Sequence, residues 1–190
     1  EPWTTGDTYN TAIGQGYLQV TPMQLAVATG GIALDGTVYR PHVVQTITDA
    51  AGTVVRTIEP EVLARAPVDP AYLATMRQGM WDSVVNGLNV AAREACSGLR
   101  IAGKTGTAEF GPIIITDDNR QVRQSHGWFV GFAPYDDPQI VVAVLIEGVG
   151  DLNDGASTMA VPALTQVMQA YFGVTPPANP PRPCPALPTE

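Results

Sequence analysis

Lys104 is the only lysine in the 190 residues; every other cation of the chain is an arginine. It opens the tetrapeptide Lys104-Thr105-Gly106-Thr107. An ammonium group is a compact charge with three donors, two hydroxyls flank a glycine beside it, and Gly106 removes a side chain that would keep a ligand from the backbone. On an extended segment Lys104, Gly106 and Ala108 point to one face and Thr105 and Thr107 to the other. The main chain at Gly106 stays open to an incoming strand-like ligand. Such an edge can pair with a peptide and hold its carboxylate. The plainer alternative is a solvated lysine at a strand end, the usual fate of lysine.

A rival reading uses the same residues. From Gly98 to Thr105 two glycines with four residues between them precede Lys-Thr, as in a phosphate loop, and the apolar run Ile140 to Ile146 ends at Glu147. A phosphate loop must follow a buried strand and open a helix. Here Glu94, Ser97 and Arg100 make the approach polar, while Gly106, Gly111 and Pro112 make a poor helix of the exit. Nucleotide binding is therefore the weaker alternative.

Other candidates carry less chemistry. His126 and His42 are the only histidines, and no Cys/His/Asp cluster has metal-ligand spacing, so neither metal nor cofactor is expected. His126 reads as structural, with Trp128 and Phe129 as sheet packing, although the face opposite Trp128 could wall the cleft. Asp117 and Asp118 read as solvated loop residues, and Glu109 as a rim charge at most.

The elements that must position the tetrapeptide follow from periodicity and punctuation. Thr21-Pro22 caps a helix through Met23, Ala26 and Val27 toward Ile32, running under the site. Val38 to Thr48 and Thr53 to Ile58, parted by Asp49 to Gly52, read as a hairpin. Asp69-Pro70 opens a helix with Leu73, Met76, Met80 and Val84 at helical spacing, the methionines as core filler. Arg100 to Phe110, Gly127 to Ala133 and Gln139 to Glu147 read as three antiparallel strands, with a polar loop over 111–124. Thr158 to Phe172 forms a closing helix whose packed face is Val161, Leu164, Val167, Met168 and Tyr171. Seven prolines in the fifteen residues from Pro176 to Glu190 forbid a helix or central strand there. The expected organisation is one α/β unit over 1–174 and a Pro-rich tail over 175–190.

Composition bounds the function. With 45% hydrophobic residues the chain can build one core, and a net charge of -8 excludes nucleic acid as a partner because phosphates would be repelled. The longest aliphatic run, Ile140 to Ile146, is far too short to span a bilayer, and no basic-then-apolar signal opens the chain. Cys96 and Cys184 are the two cysteines, and neither has catalytic surroundings. Two free thiols are the preferred reading, since sequence cannot show proximity.

Three stretches, in this order, carry a resemblance: Gly6 to Ala26, containing Gly14-Gln15-Gly16 and Thr21-Pro22; the Lys-Thr-Gly-Thr-Ala-Glu segment ending at Glu109; and Ser125 to Pro134, containing Gly127-Trp128 and Gly131. Together they resemble the transpeptidase domain of class B penicillin-binding proteins, over residues 3 to 172 or so. The Lys-Thr-Gly motif accompanies Ser-x-x-Lys and Ser-Asp-Asn motifs in penicillin-binding proteins and class A β-lactamases. Neither partner motif is present: the residue three before Lys104 is Ile101, and no serine is followed two positions later by asparagine. The resemblance implies a β-lactamase/transpeptidase-like fold, an antiparallel sheet flanked by helices, present here as its C-terminal part, with nucleophile and base upstream of Glu1.

It further implies that Lys104, Thr105, Gly106 and Thr107 bind the terminal carboxylate of a peptidoglycan stem peptide or of a β-lactam. The Thr107 backbone N–H would complete an oxyanion hole, and Lys104 would sustain proton transfer. The expected setting is the extracytoplasmic face of the bacterial membrane, anchored by an upstream segment. There a disulfide tying the tail to the body could persist. The non-enzymatic alternative is a penicillin-binding-like scaffold or partner-binding module.

Overall fold

A computed structural model describes residues 2–87, 89–149 and 156–177. Its centre is a three-stranded antiparallel sheet in the order β5-β6-β7, formed by β5 (Ala102–Ile115), β6 (Gln121–Ala133) and β7 (Ile140–Ile146). Residues paired across an antiparallel ladder share a face. Thr105 opposes Phe129, Lys104 opposes Val130 and Ala102 opposes Phe132, so the two faces separate cleanly.

One face carries the larger core. Phe129 is fully buried there with Val161, Leu164 and Met168 of helix α5 (Val161–Phe172) and with Val84 of helix α3 (Pro70–Val85). Alternate residues of β7, from Ile140 to Ile146, pack onto the same cluster. Phe132 and Ala102 belong to the opposite face, against Ala33 of helix α2 (Pro22–Ala33) and Met80 of α3. Removing either phenylalanine side chain would cost about 3–5 kcal/mol.

The helices begin where capping chemistry places them. Thr21 and Gln24 form a reciprocal capping box before Pro22, and Asp69 accepts from the Ala71 N–H at 2.8 Å ahead of Pro70. Both starts agree with the sequence. Helix α1 (Thr5–Ala12) was not anticipated; Thr4 and Asp7 cap it reciprocally, and it buries none of its residues. A short α4 (Glu94–Ser97) ends at Gly98, whose φ of 74° needs glycine, and leads into β5.

Four differences from expectation have physical causes. The strand expected over 38–48 is broken by Pro41. β1 (Thr37–Tyr39) pairs instead with β4 (Val62–Arg65), and only β2 (Thr46–Thr48) joins β3 (Val54–Thr57) in the expected hairpin. The loop over 111–124 is mostly hairpin: β5 runs to Ile115 and β6 starts at Gln121, so the turn is confined to 116–120. A register shift between Phe110 and Ile114 absorbs Gly111-Pro112, which had signalled a break. On α5 the buried face is Val161, Leu164, Thr165, Met168 and Gln169, while Val167 and Tyr171 are exposed. Met76 of α3 is likewise exposed beside buried Leu73, Met80 and Val84.

Cys96 is disulfide-bonded, which corrects the preference for free thiols. Cys184 and the tail beyond residue 177 lie outside the described residues.

Candidate functional site

Lys104-Thr105-Gly106-Thr107 lies within β5, the edge strand of its sheet among the described residues. That placement removes the phosphate-loop reading, because Gly103-Lys104-Thr105 is extended main chain rather than the start of a helix.

The strand is held at its N-terminal end. Arg100 forms an ion pair with Asp136 at 2.6 Å, lies over the Trp81 ring, and its carbonyl accepts the Tyr135 N–H at 2.8 Å. Gly103 allows the closest approach of β5 to β6: a Cβ there would lie 2.6 Å from the Phe129 ring and 2.8 Å from the Val130 carbonyl oxygen. A glycine is therefore required on steric grounds at the residue before Lys104.

Main-chain alternation then decides what faces outward. The N–H and C=O of one residue leave the same side of an antiparallel strand, and successive residues alternate. The Ser125 and Ala133 carbonyls of β6 accept N–H groups on the β7 side, so even-numbered residues of β6 face β5; the register pairs even with even, and Thr105 and Thr107 therefore address the open edge. The hydrogen bonds agree. The Thr105 carbonyl accepts from Lys104 Nζ at 2.7 Å, and the Thr107 carbonyl from Gln15 Nε2 at 3.0 Å.

Along this edge lies a cleft of about 600 Å³. Its walls are the tetrapeptide with Ala108 and Glu109, the segment Ile13 to Gly16 with Leu18 to Val20, and Leu25 of α2; His126, Trp128 and Val130 of β6 complete them. Lys104 and the threonine pair leave opposite faces of β5, yet all three line the cleft, because it follows the edge. A Cβ at Gly106 would come within 3.4 Å of the Trp128 Cβ and narrow it.

Charge is distributed unevenly around this cleft. Arg40, Arg77, Arg100 and Arg120 each pair with a carboxylate elsewhere. Lys104 is exposed and has no ion pair among the described residues. A cation whose charge meets no carboxylate, on a donor-bearing edge, is suited to an anionic or carbonyl ligand.

The remaining sequence candidates find places. His126 is held structurally: its ring stacks on Phe110 at 4.1 Å, and Nδ1 accepts the Gly148 N–H at 3.2 Å, which leaves the proton on Nε2 in the neutral ring. It nevertheless lines the cleft, as does Trp128, which had been assigned to sheet packing. Phe129 is core, as expected. Glu109 is on the rim. Asp118 belongs to the hairpin turn, where the Thr116 hydroxyl and then the Arg120 guanidinium hold its carboxyl below the usual range. Among the described residues no group of His, Cys, Asp and Glu could hold a metal ion.

Sequence reasoning gave no role to Gln15. It sits between Gly14 (φ 76°) and Gly16 (φ 72°), two left-handed positions that fold the chain back and aim the amide at β5. The two glycines flanking a polar residue were the available signal, but their target, 92 residues away, was not visible.

Comparison with known proteins identifies the family. The profile of the penicillin binding protein transpeptidase domain matches residues 1–169. The peptidoglycan D,D-transpeptidase MrdA of Haemophilus influenzae is 36% identical over 184 residues, covering 90% of this chain and 26% of that protein. PbpA of Mycolicibacterium smegmatis, also named a peptidoglycan D,D-transpeptidase, is 37% identical over 153 residues, 80% of this chain and 29% of its own. The structure of penicillin-binding protein A from M. tuberculosis as an imipenem acyl-enzyme complex superposes with a TM-score of 0.70 at 28% identity, over 89% of this chain and 34% of that one. The chain spans about a quarter of the length of the curated relatives it matches.

Proposed function

The chain belongs to the penicillin-binding protein transpeptidase family, and on that premise we propose that its full-length parent is a serine D,D-transpeptidase for which this segment supplies the substrate-binding strand. In that reaction a serine attacks the penultimate D-alanine carbonyl of a stem peptide, D-alanine leaves, and the acyl group passes to an amine of a neighbouring strand. The same serine is acylated by β-lactams. The serine and its base come from the rest of the parent, since no Ser-x-x-Lys or Ser-x-Asn occurs here.

The observation that carries this reading is the arrangement at the β5 edge: an ammonium with no carboxylate partner among the described residues and an outward Thr107 N–H bordering one cleft. Lys104 with the Thr105 and Thr107 hydroxyls grips the carboxylate of the donor peptide or the antibiotic, and Gly106 keeps the strand accessible. The Thr107 N–H, with a donor from the parent, stabilises the oxyanion, a contribution of about 3 kcal/mol per donor in the transition state. Lys104 also sustains proton transfer.

Two features support the larger parent and its setting. Helix α1 buries no residue, and Trp3, Tyr9, Ile13 and Tyr17 around it are all more than 60% exposed, an apolar surface that a larger domain would cover. The disulfide at Cys96 supports an extracytoplasmic site, with the parent anchored at the outer face of the membrane by a preceding segment.

Acylation by a fluorescent penicillin tests the proposal. Residues 1–190 alone should remain unlabelled, whereas the parent should label. Lys104→Ala in the parent should slow acylation about 10- to 100-fold, the worth of a charged hydrogen bond, with an unchanged circular dichroism spectrum. Labelling of the isolated chain would place a nucleophile within it, and an unimpaired Lys104→Ala variant would remove Lys104 from the site.

A further inference from the structure

The cleft along β5 carries a charge at each end. Lys104 is the one lysine or arginine among its lining residues and Glu109 the one carboxylate; both are exposed, while residues 105–108 between them are half-buried. Five steps of extended chain separate the two by roughly 17 Å. Glu109 shares its face of the strand with Thr105 and Thr107 and lies two residues, roughly 7 Å, beyond Thr107.

No described residue answers the Glu109 charge. It forms no ion pair and no hydrogen bond among the described residues, whereas Asp35, Glu61, Asp118 and Asp136 each hold an arginine. Ser125, its partner across the ladder, is buried. Arg123, two residues along β6, turns its guanidinium to the Gly111 carbonyl at 3.0 Å. His126 opposes Ala108 on the other face and stacks on Phe110.

Ligand chemistry gives this carboxylate a task. The reaction proposed above anchors a carboxylate at Lys104 and Thr105 and the reacting carbonyl at the Thr107 N–H, so the rest of the ligand runs toward Glu109. The last two residues of the donor are alanines, and the third from the end is the first that can carry an amine. A strand that accepts in one cross-link and donates in another carries its amine in both roles. An extended peptide advances about 3.4 Å per residue, so a flexible side chain on that third residue reaches a carboxylate two residues past Thr107. The attacking amine of the acceptor does not belong here. It must be neutral to react, and a carboxylate partner favours its charged form.

We propose that Glu109 is a specificity-determining residue that receives a primary ammonium group on the donor peptide or on a β-lactam side chain, while Lys104 holds the carboxylate at the other end. The inference deepens the transpeptidase reading and rests on it. A ligand with both charges then fits the cleft in one direction only.

The test uses the full-length parent and two penicillins that differ only by a primary amine on the acyl side chain, each competing with a fluorescent penicillin. Acylation involves no acceptor strand, so it reads the donor side alone. The preference is the acylation rate of the aminated compound divided by that of its plain counterpart, a ratio in which effects of a substitution on folding cancel. At pH 6 an α-amino group, with a pKa of about 8, is charged. The wild-type preference there should exceed that of Glu109→Gln about twofold to fivefold, the worth of one exposed ion pair, and Glu109→Lys should lie below Glu109→Gln. At pH 9 the amine is neutral and the wild-type preference should fall to that of Glu109→Gln. Equal preferences in the wild type and both variants at pH 6 overturn the inference. Lys104→Ala separates the levels: slow acylation by both penicillins beside equal preferences defeats the role of Glu109 alone, whereas undiminished acylation by both defeats the reading of the site.

Discussion

A single backbone N–H is hard to remove without breaking a ladder, but Thr107 is an exception because its N–H points away from β6. Proline at an outward edge position costs no ladder hydrogen bond. Thr107→Pro in the parent is therefore expected to keep Tm within a few degrees while lowering penicillin acylation about 100-fold or more, the usual loss for one oxyanion donor. A drop in Tm with proportionate loss of folded protein would show that the N–H is engaged in the sheet. Lys104→Arg should recover little of what Lys104→Ala loses. A broad planar fork on a three-methylene stem cannot place its charge where a compact ammonium donates to the Thr105 carbonyl and still faces the cleft. At this scale the residue types told most of the story. Lys104 and its threonines were legible because their chemistry is local, whereas Trp128 and Gln15 were not, because what each faces is set by residues distant in sequence.

The strand and the helix beside it depend on local features that can be perturbed one at a time. Gly103→Ala puts a methyl group onto the Phe129 ring and the Val130 carbonyl, so β5 must shift. The expected cost is about 1–3 kcal/mol, seen as a lower denaturant midpoint, with a fall in acylation larger than the stability loss explains. Helix α1 is sensitive to acid. The Thr4 hydroxyl, then the Thr4 backbone N–H, hold the Asp7 carboxyl below its ordinary value. A carboxyl depressed in the folded state stabilises above its unfolded pKa, and that contribution is lost as pH falls through the lower folded value. Amide protection factors in α1, referred to the intrinsic rate at each pH, should thus fall below about pH 4 while those of β6 hold. Asp7→Asn should remove most of that dependence. The central strands and the helix starts at Thr21 and Asp69 were readable from alternation and capping. The hairpin extension through Ile115 and Gln121 was not, because Gly111-Pro112 signals a break and only the pairing with β6 turns it into a bulge.

At the scale of the molecule, a disulfide at Cys96 constrains the unfolded chain, so reduction by dithiothreitol and the Cys96→Ser substitution should destabilise alike, by about 2–5 kcal/mol. Melting curves with and without reductant check this, and a Cys96→Ser variant still sensitive to reductant would contradict it. The sequence alone settled the chemistry on offer: one ammonium, two hydroxyls and a glycine in register, a net charge of -8, and motif order enough to place the chain in its family. Those properties depend on residue type and spacing, which do not change on folding. Tertiary structure alone decided which side of β5 stays open and which groups cap its carbonyls, and it put Trp128 and His126 on a cleft wall. Each is a relation between segments far apart in the chain, set by strand register and helix packing, and no local pattern encodes it.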